Sequence, residues 1–194
     1  MRMSNIERKT SETDIKMSLQ LDGEGRRSIS TGIGFFDHML HTMCKHGFMD
    51  IDLLCTGDLH VDDHHTVEDV GIVLGKAFRE ALGDKQRIRR YATVYTPMDE
   101  SLSRISIDIS GRAYLHYDVS FLQPSVGQFE GALVEEFFRA FVNHAQVTLH
   151  ITIEYGRNSH HMIESIFKGF GRVLDQASVV DDRIIGVLST KGQL

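Results

Sequence analysis

Short runs in which apolar and polar residues alternate are followed, along this chain, by stretches with helical spacing. Thr13 to Leu21 alternates as a half-buried strand does. Asp22-Gly23-Glu24-Gly25 reads as a turn and Arg26 to Thr31 as a returning strand, together a hairpin. From Gly34 to Gly47 the spacing becomes helical, with Phe36, Met39, Leu40 and Met43 on one face. Asp50 to Cys55 predicts a short strand. Asp62 and Asp63 supply N-cap chemistry for a helix running to about Leu82, whose apolar face carries Val67, Val70, Leu74, Ala77 and Phe78.

The second half follows the same order. Ala92 to Tyr95 and Ser103 to Ile109 read as strands, the latter with Ile105, Ile107 and Ile109 on one face. Gly111-Arg112 makes a turn and Tyr114 to Val119 returns. Gly131 to Phe141 reads as a helix, Val147 to Tyr155 as a strand, and Ser159 to about Ala177 as a final helix. Val70, Leu74, Ala77 and Phe78 are matched ninety-six residues on by Ile166, Phe170, Val173 and Leu174. The pattern is strand, strand, helix, strand, helix, twice. The junction falls near Gly83 to Arg90, giving halves 1–87 and 88–194 of a single compact chain. Only two prolines occur and no Ser/Gly-rich linker separates the halves, so they are expected to pack together.

The same separation governs chemistry. His64-His65-Thr66-Val67-Glu68 and His160-His161-Met162-Ile163-Glu164 share the pattern His-His-x-x-Glu in register. On a helix, Glu68 lies one turn from His64 and close to His65, while the two rings point about 100° apart. One histidine and the carboxylate can hold one ion while the second histidine reaches another. Imidazole with carboxylate and no thiolate suits Mn, Fe or Zn at an open, catalytic position. One further candidate ligand stands on the preceding helix of each half, His38 and Glu136.

Composition narrows the partners. A net charge of −6 with no long basic run argues against nucleic acid or a membrane surface. An anionic substrate would need a local cluster of Lys and Arg. No run approaches the roughly 18 apolar residues that span a bilayer, and no signal-peptide pattern precedes the first charged stretch. Cys44 and Cys55 form no Cys-x-x-Cys pair and read as buried free thiols in a reducing, cytoplasmic setting. Ser189 to Leu194 reads as a polar tail, frayed by default.

GIGFFDHML (32–40), TGDLHVDDHHTVED (56–69), MDE (98–100), DISGRAYL (108–115), VEEFFRA (134–140), GRNSHHMIESIFKGF (156–170) and STKG (189–192) together resemble the imidazoleglycerol-phosphate dehydratase family of histidine biosynthesis. The resemblance runs over nearly the whole chain. It implies a duplicated α+β fold of two β-β-α-β-α halves, each a sheet with helices on one face. It implies two Mn²⁺ ions per active site, held by His38, His64, His65, Glu68, His160, His161 and Glu164. An eighth ligand is His in many members, where this chain has Glu136. It implies substrate contacts at Glu12, Arg90, Arg112, Lys168, Ser189 and Lys191, the tail then closing over a phosphate. It also implies trimers assembling into a 24-subunit shell, with sites built from more than one subunit.

The implied reaction dehydrates imidazoleglycerol phosphate to imidazole acetol phosphate through an imidazolate stabilised by the two metals. Glu12 is the leading proton carrier, with Glu68 and Glu164 as weaker candidates because metal-bound carboxylates are poorer bases. Asp99 and Glu100 follow Pro97 as a turn that could orient ligands. The alternatives are a dimetal hydrolase acting on a phosphorylated small molecule, a ferritin-like metal store and a structural shell protein.

Overall fold

The alternation in β2 (Thr13–Gln20) buries Ile15, Met17 and Leu19 and leaves Lys16 in water. The computed structural model describes residues 2–194. The first half comprises β1 (Met3–Lys9), β2, β3 (Arg27–Ser30), α1 (Gly34–Gly47), β4 (Asp50–Gly57) and α2 (His64–Leu82). The second comprises β5 (Tyr91–Met98), β6 (Ser101–Asp108), β7 (Tyr114–Asp118), the small β8 (Ser125–Val126) and β9 (Phe129–Glu130), α3 (Ala132–Ala145), β10 (Thr148–Tyr155) and α4 (Ser159–Ser178). Each half is a four-stranded sheet with two helices, so the architecture is a duplicated α+β fold.

Strand order departs from the expected hairpin. The sheets run β1-β2-β4-β3 and β5-β6-β10-β7. β2 and β3 are not neighbours: β4 lies between them, antiparallel to β2 and parallel to β3. Residues 22–25 therefore arch over the start of β4. Oδ1 of Asp50 accepts hydrogen bonds from the backbone N–H of Glu24 and Arg26, both at 2.8 Å. β7 likewise pairs with β10 in parallel rather than returning along β6. Alternation fixes the face a residue occupies, not the strand beside it.

β1 gave no apolar alternation because its inward positions are largely polar. Ser4 is buried and donates to the carbonyl of Ala77 at 2.8 Å, and Arg8 pairs with the buried Asp69. α3 continues a turn beyond the expected Phe141.

The helices of both halves lie together between the sheets. α2 packs on β1 and β2 and against α3; α4 packs on β5 and β6 and against α1. Phe137, Phe138, Phe141, Phe167 and Phe170 interlock there, with ring centroids as close as 4.9 Å between Phe141 and Phe170. Glycines let the backbones approach. A Cβ on Gly171 of α4 would lie 2.2 Å from the carbonyl oxygen of Met43, and one on Gly47 of α1 would lie 2.8 Å from that of Gly171. Gly71 and Gly75 of α2 meet the carbonyls of Phe137 and Phe141 in the same way.

Gly171→Ala is expected to push α1 from α4 and cost about 1–3 kcal/mol, as overpacking does. Denaturant unfolding measures it, and an unchanged midpoint would contradict backbone contact at this crossing.

Candidate metal centre

The α1–α4 contact brings His38 of α1 to His160 and Glu164 of α4. One ligating atom from each residue lies within 4.8 Å of the other two. Nε2 of His160 stands 3.3 Å from Oε2 of Glu164, and Nε2 of His38 stands 3.8 Å from the same oxygen. The other oxygen of Glu164 takes a 2.7 Å contact from Nζ of Lys168, one helical turn on. Burial works to raise the Glu164 pKa, but the Lys168 hydrogen bond and the cationic groups around it prevail and lower it. Glu164 is thus held as a carboxylate with one oxygen turned to the histidines. This set of two imidazoles and one carboxylate fits a borderline or hard divalent ion.

Local sequence aims these side chains. Asn158 caps α4: its Oδ1 accepts from the backbone N–H of His160 at 2.9 Å and of His161 at 3.4 Å. Phe35 meets the His160 ring edge-on, with centroids 5.2 Å apart. At α2, Oδ1 of Asp62 accepts from the N–H of His64 at 2.8 Å, while Asp63 sits at the N-cap position without a side-chain bond. The Asp pair was expected to cap, and Asp62 alone does so.

His64 and Glu68 form the matching pair in α2, with Nε2 and Oε2 3.6 Å apart. The second histidine of each motif turns away from the first, the two rings of each pair being nearly perpendicular at 87° and 83°. Nδ1 of His65 contacts Oδ2 of Asp58 at 3.0 Å, and its Nε2 stands 3.8 Å from Glu12. Nδ1 of His161 contacts Oε2 of Glu100 at 2.7 Å. These hydrogen bonds raise the pKa of both histidines, and the His161 bond is the main cause that brings Glu100 down to about 2.

A separate cavity of about 890 Å³ is lined by Arg90, Arg112, Ser189 and Lys191 among others. Arg90 binds Asp108 through two bonds, of 2.7 and 3.1 Å, and donates to the carbonyl of Leu188 at 2.9 Å. The tail is therefore not simply frayed: it folds back beside these arginines, with Leu194 close to Gly111.

The imidazoleglycerol-phosphate dehydratase family model matches residues 31–174. A protein of that name from Oceanobacillus iheyensis is 60% identical over 194 residues, covering all of both chains. One from Clostridium novyi is 58% identical, over 98% of this chain and 97% of its own. The chain belongs to the imidazoleglycerol-phosphate dehydratase family. The crystal structure of the Staphylococcus aureus dehydratase superposes with a TM-score of 0.84 at 41% identity, over 92% of this chain and 99% of its own. That of the Pyrococcus furiosus protein gives 0.85 at 35%, over 97% and 100%.

Of the eight ligand positions that family resemblance implied, the structure gathers three, His38, His160 and Glu164, and pairs two more, His64 and Glu68. Glu136 occupies the same place in α3 as His38 in α1, the fifth residue, but its carboxylate faces Arg139 at 3.7 Å. Among the implied substrate residues, Arg90, Arg112, Ser189 and Lys191 share one cavity, whereas Lys168 stands at the histidine cluster. Asp58 passed unnoticed in the sequence because a lone Asp after a strand reads as a turn residue.

In the metal-free protein the His161–Glu100 pair should add stability within a defined window. The Glu100 share is present above its ordinary 4.5 and is lost as pH falls through about 2. The raised His161 contributes fully below its ordinary 6.5 and loses that contribution as pH rises through its folded value. Thermal melts across pH should show the Glu100→Gln deficit largest between those ordinary values and shrinking on the alkaline side; a deficit independent of pH would refute the ion pair.

Proposed function

We propose that the chain is a hydro-lyase that removes water from imidazoleglycerol phosphate, giving imidazole acetol phosphate in histidine biosynthesis. The carrying observation is full-length membership of the dehydratase family together with the His38–His160–Glu164 cluster. Two Mn²⁺ ions would be held by His38, His64, His65, Glu68, Glu136, His160, His161 and Glu164. When bound, they supply Lewis-acid charge stabilisation to the azole ring of the substrate.

The protein's own groups divide the remaining work. Arg90, Arg112, Lys168, Ser189 and Lys191 supply cations and donors for the phosphate. Glu12 is half exposed at the turn before β2 and faces Nε2 of His65 at 3.8 Å. In this reading it takes the proton from the substrate carbon. Glu68 and Glu164 stand beside histidines and serve better as ligands than as bases.

The cavity of Arg90 and Arg112 contains none of the histidine donors. A second copy of the chain that presents its basic cavity to the metal residues of the first would unite them around one substrate. This supports sites at subunit boundaries, which the family resemblance extends to trimers in a 24-subunit shell. No helix among the described residues is long and apolar enough to cross a membrane. A cytoplasmic location is part of the same proposal.

Glu12→Gln is expected to keep its metal, by elemental analysis, and lose turnover by at least about 10²-fold; normal turnover would remove Glu12 from the reaction. His160→Ala should lose metal and activity together. In a product assay the wild type should form a ketone that retains the phosphate ester, whereas release of inorganic phosphate would point to a hydrolase.

A further inference from the structure

The duplication places equivalent residues in the two halves, and one equivalent pair has diverged in use. Glu12 immediately precedes β2, and Glu100 immediately precedes β6, the strand in the same place of the second sheet. Both face the second histidine of their motif, but from different sides. Glu100 takes Nδ1 of His161 at 2.7 Å, while its other oxygen accepts from the N–H of Arg157 at 3.1 Å and from Oγ of Ser101 at 3.0 Å. Glu12 lies toward Nε2 of His65, at 3.8 Å.

In the first half the Nδ1 position is taken by Asp58, the residue directly after β4. Gly57 and Gly156 occupy equivalent places, since a Cβ on either would meet the third residue of its histidine motif, Thr66 or Met162, and the first residue of the neighbouring strand, Thr13 or Ser101; the counterpart of Asp58 is therefore Arg157. The second half has no carboxylate there, and the backbone N–H of Arg157 binds Glu100 instead. Asp58 is also held at a cost, since its Oδ1 is buried without a hydrogen-bond partner.

We propose that Asp58 and Glu100 are paired positioning residues, binding Nδ1–H of His65 and His161 so that Nε2 alone is offered to a divalent cation, and that Asp58 thereby frees Glu12 from holding a histidine. A carboxylate on one ring nitrogen fixes the tautomer and makes the other nitrogen a better donor. This rests on the metal reading above.

The test uses the full chain and Mn²⁺ alone, titrated by the EPR signal of the free ion. Glu100→Ala and Asp58→Ala should each lose affinity on the order of 10–100-fold. Glu100→Gln should recover most of the loss, because its amide oxygen still accepts from Nδ1–H. Glu12→Gln should bind Mn²⁺ like the wild type. Circular dichroism verifies folding, and a crystal structure of the Mn²⁺-loaded wild type tests the geometry without any variant: His65 and His161 should ligate through Nε2. Ligation through Nδ1, or wild-type affinity in a folded Glu100→Ala, overturns the proposal while leaving the dehydratase reading intact. A wild type that takes up no Mn²⁺ overturns both.

Discussion

Backbone contact between α1 and α4, made where Gly47 meets Gly171, sets the distance on which the centre depends. His38 comes from one half of the chain, and His160 and Glu164 from the other. A side chain at the crossing would part the helices that carry a cluster whose members lie within 4.8 Å. The dense phenylalanine packing beside it makes the approach rigid, because close-packed interiors transmit strain rather than absorb it. Burial in the shared core and the geometry of the donors are therefore one problem.

Around that crossing, electrostatics prepares each donor differently. Lys168 occupies one oxygen of Glu164 and keeps it ionised, so the free oxygen can face the two imidazoles. Carboxylates on Nδ1 of His65 and His161 leave their opposite nitrogens outward. The two halves reach this arrangement with different residues because Arg157 stands in the second half where Asp58 stands in the first. Duplication supplied the frame, and side-chain differences between the copies gave equivalent positions separate tasks.

Much of the site was legible before the fold. His-His-x-x-Glu repeats in register, and fold duplication alone does not demand those residue types. The helices were equally clear, since α1, α2 and α4 carry long apolar faces, and Asp62 and Asp63 mark the entry to α2. Strand neighbours were not. A segment such as Asp22 to Gly25 has turn composition whether it closes a hairpin or crosses another strand, and the deciding contacts, from Glu24 and Arg26 to Asp50, lie far along the chain. β1 was hidden because Ser4 and Arg8 face inward and satisfy themselves by hydrogen bonds rather than by apolar burial.

The sequence by itself determined the duplicated pattern, the paired histidine-carboxylate motifs and, through its motifs, the family. Those properties are local or periodic, and periodicity survives in one dimension. Only the tertiary structure decided that His38 joins the α4 pair while His65 and His161 turn to Asp58 and Glu100. It also decided that the arginine cavity stands apart from the histidines, and that β4 and β10 insert between strands adjacent in the chain. Such pairings depend on which surfaces meet after packing, and no spacing along the chain encodes a distance between residues brought together by the core.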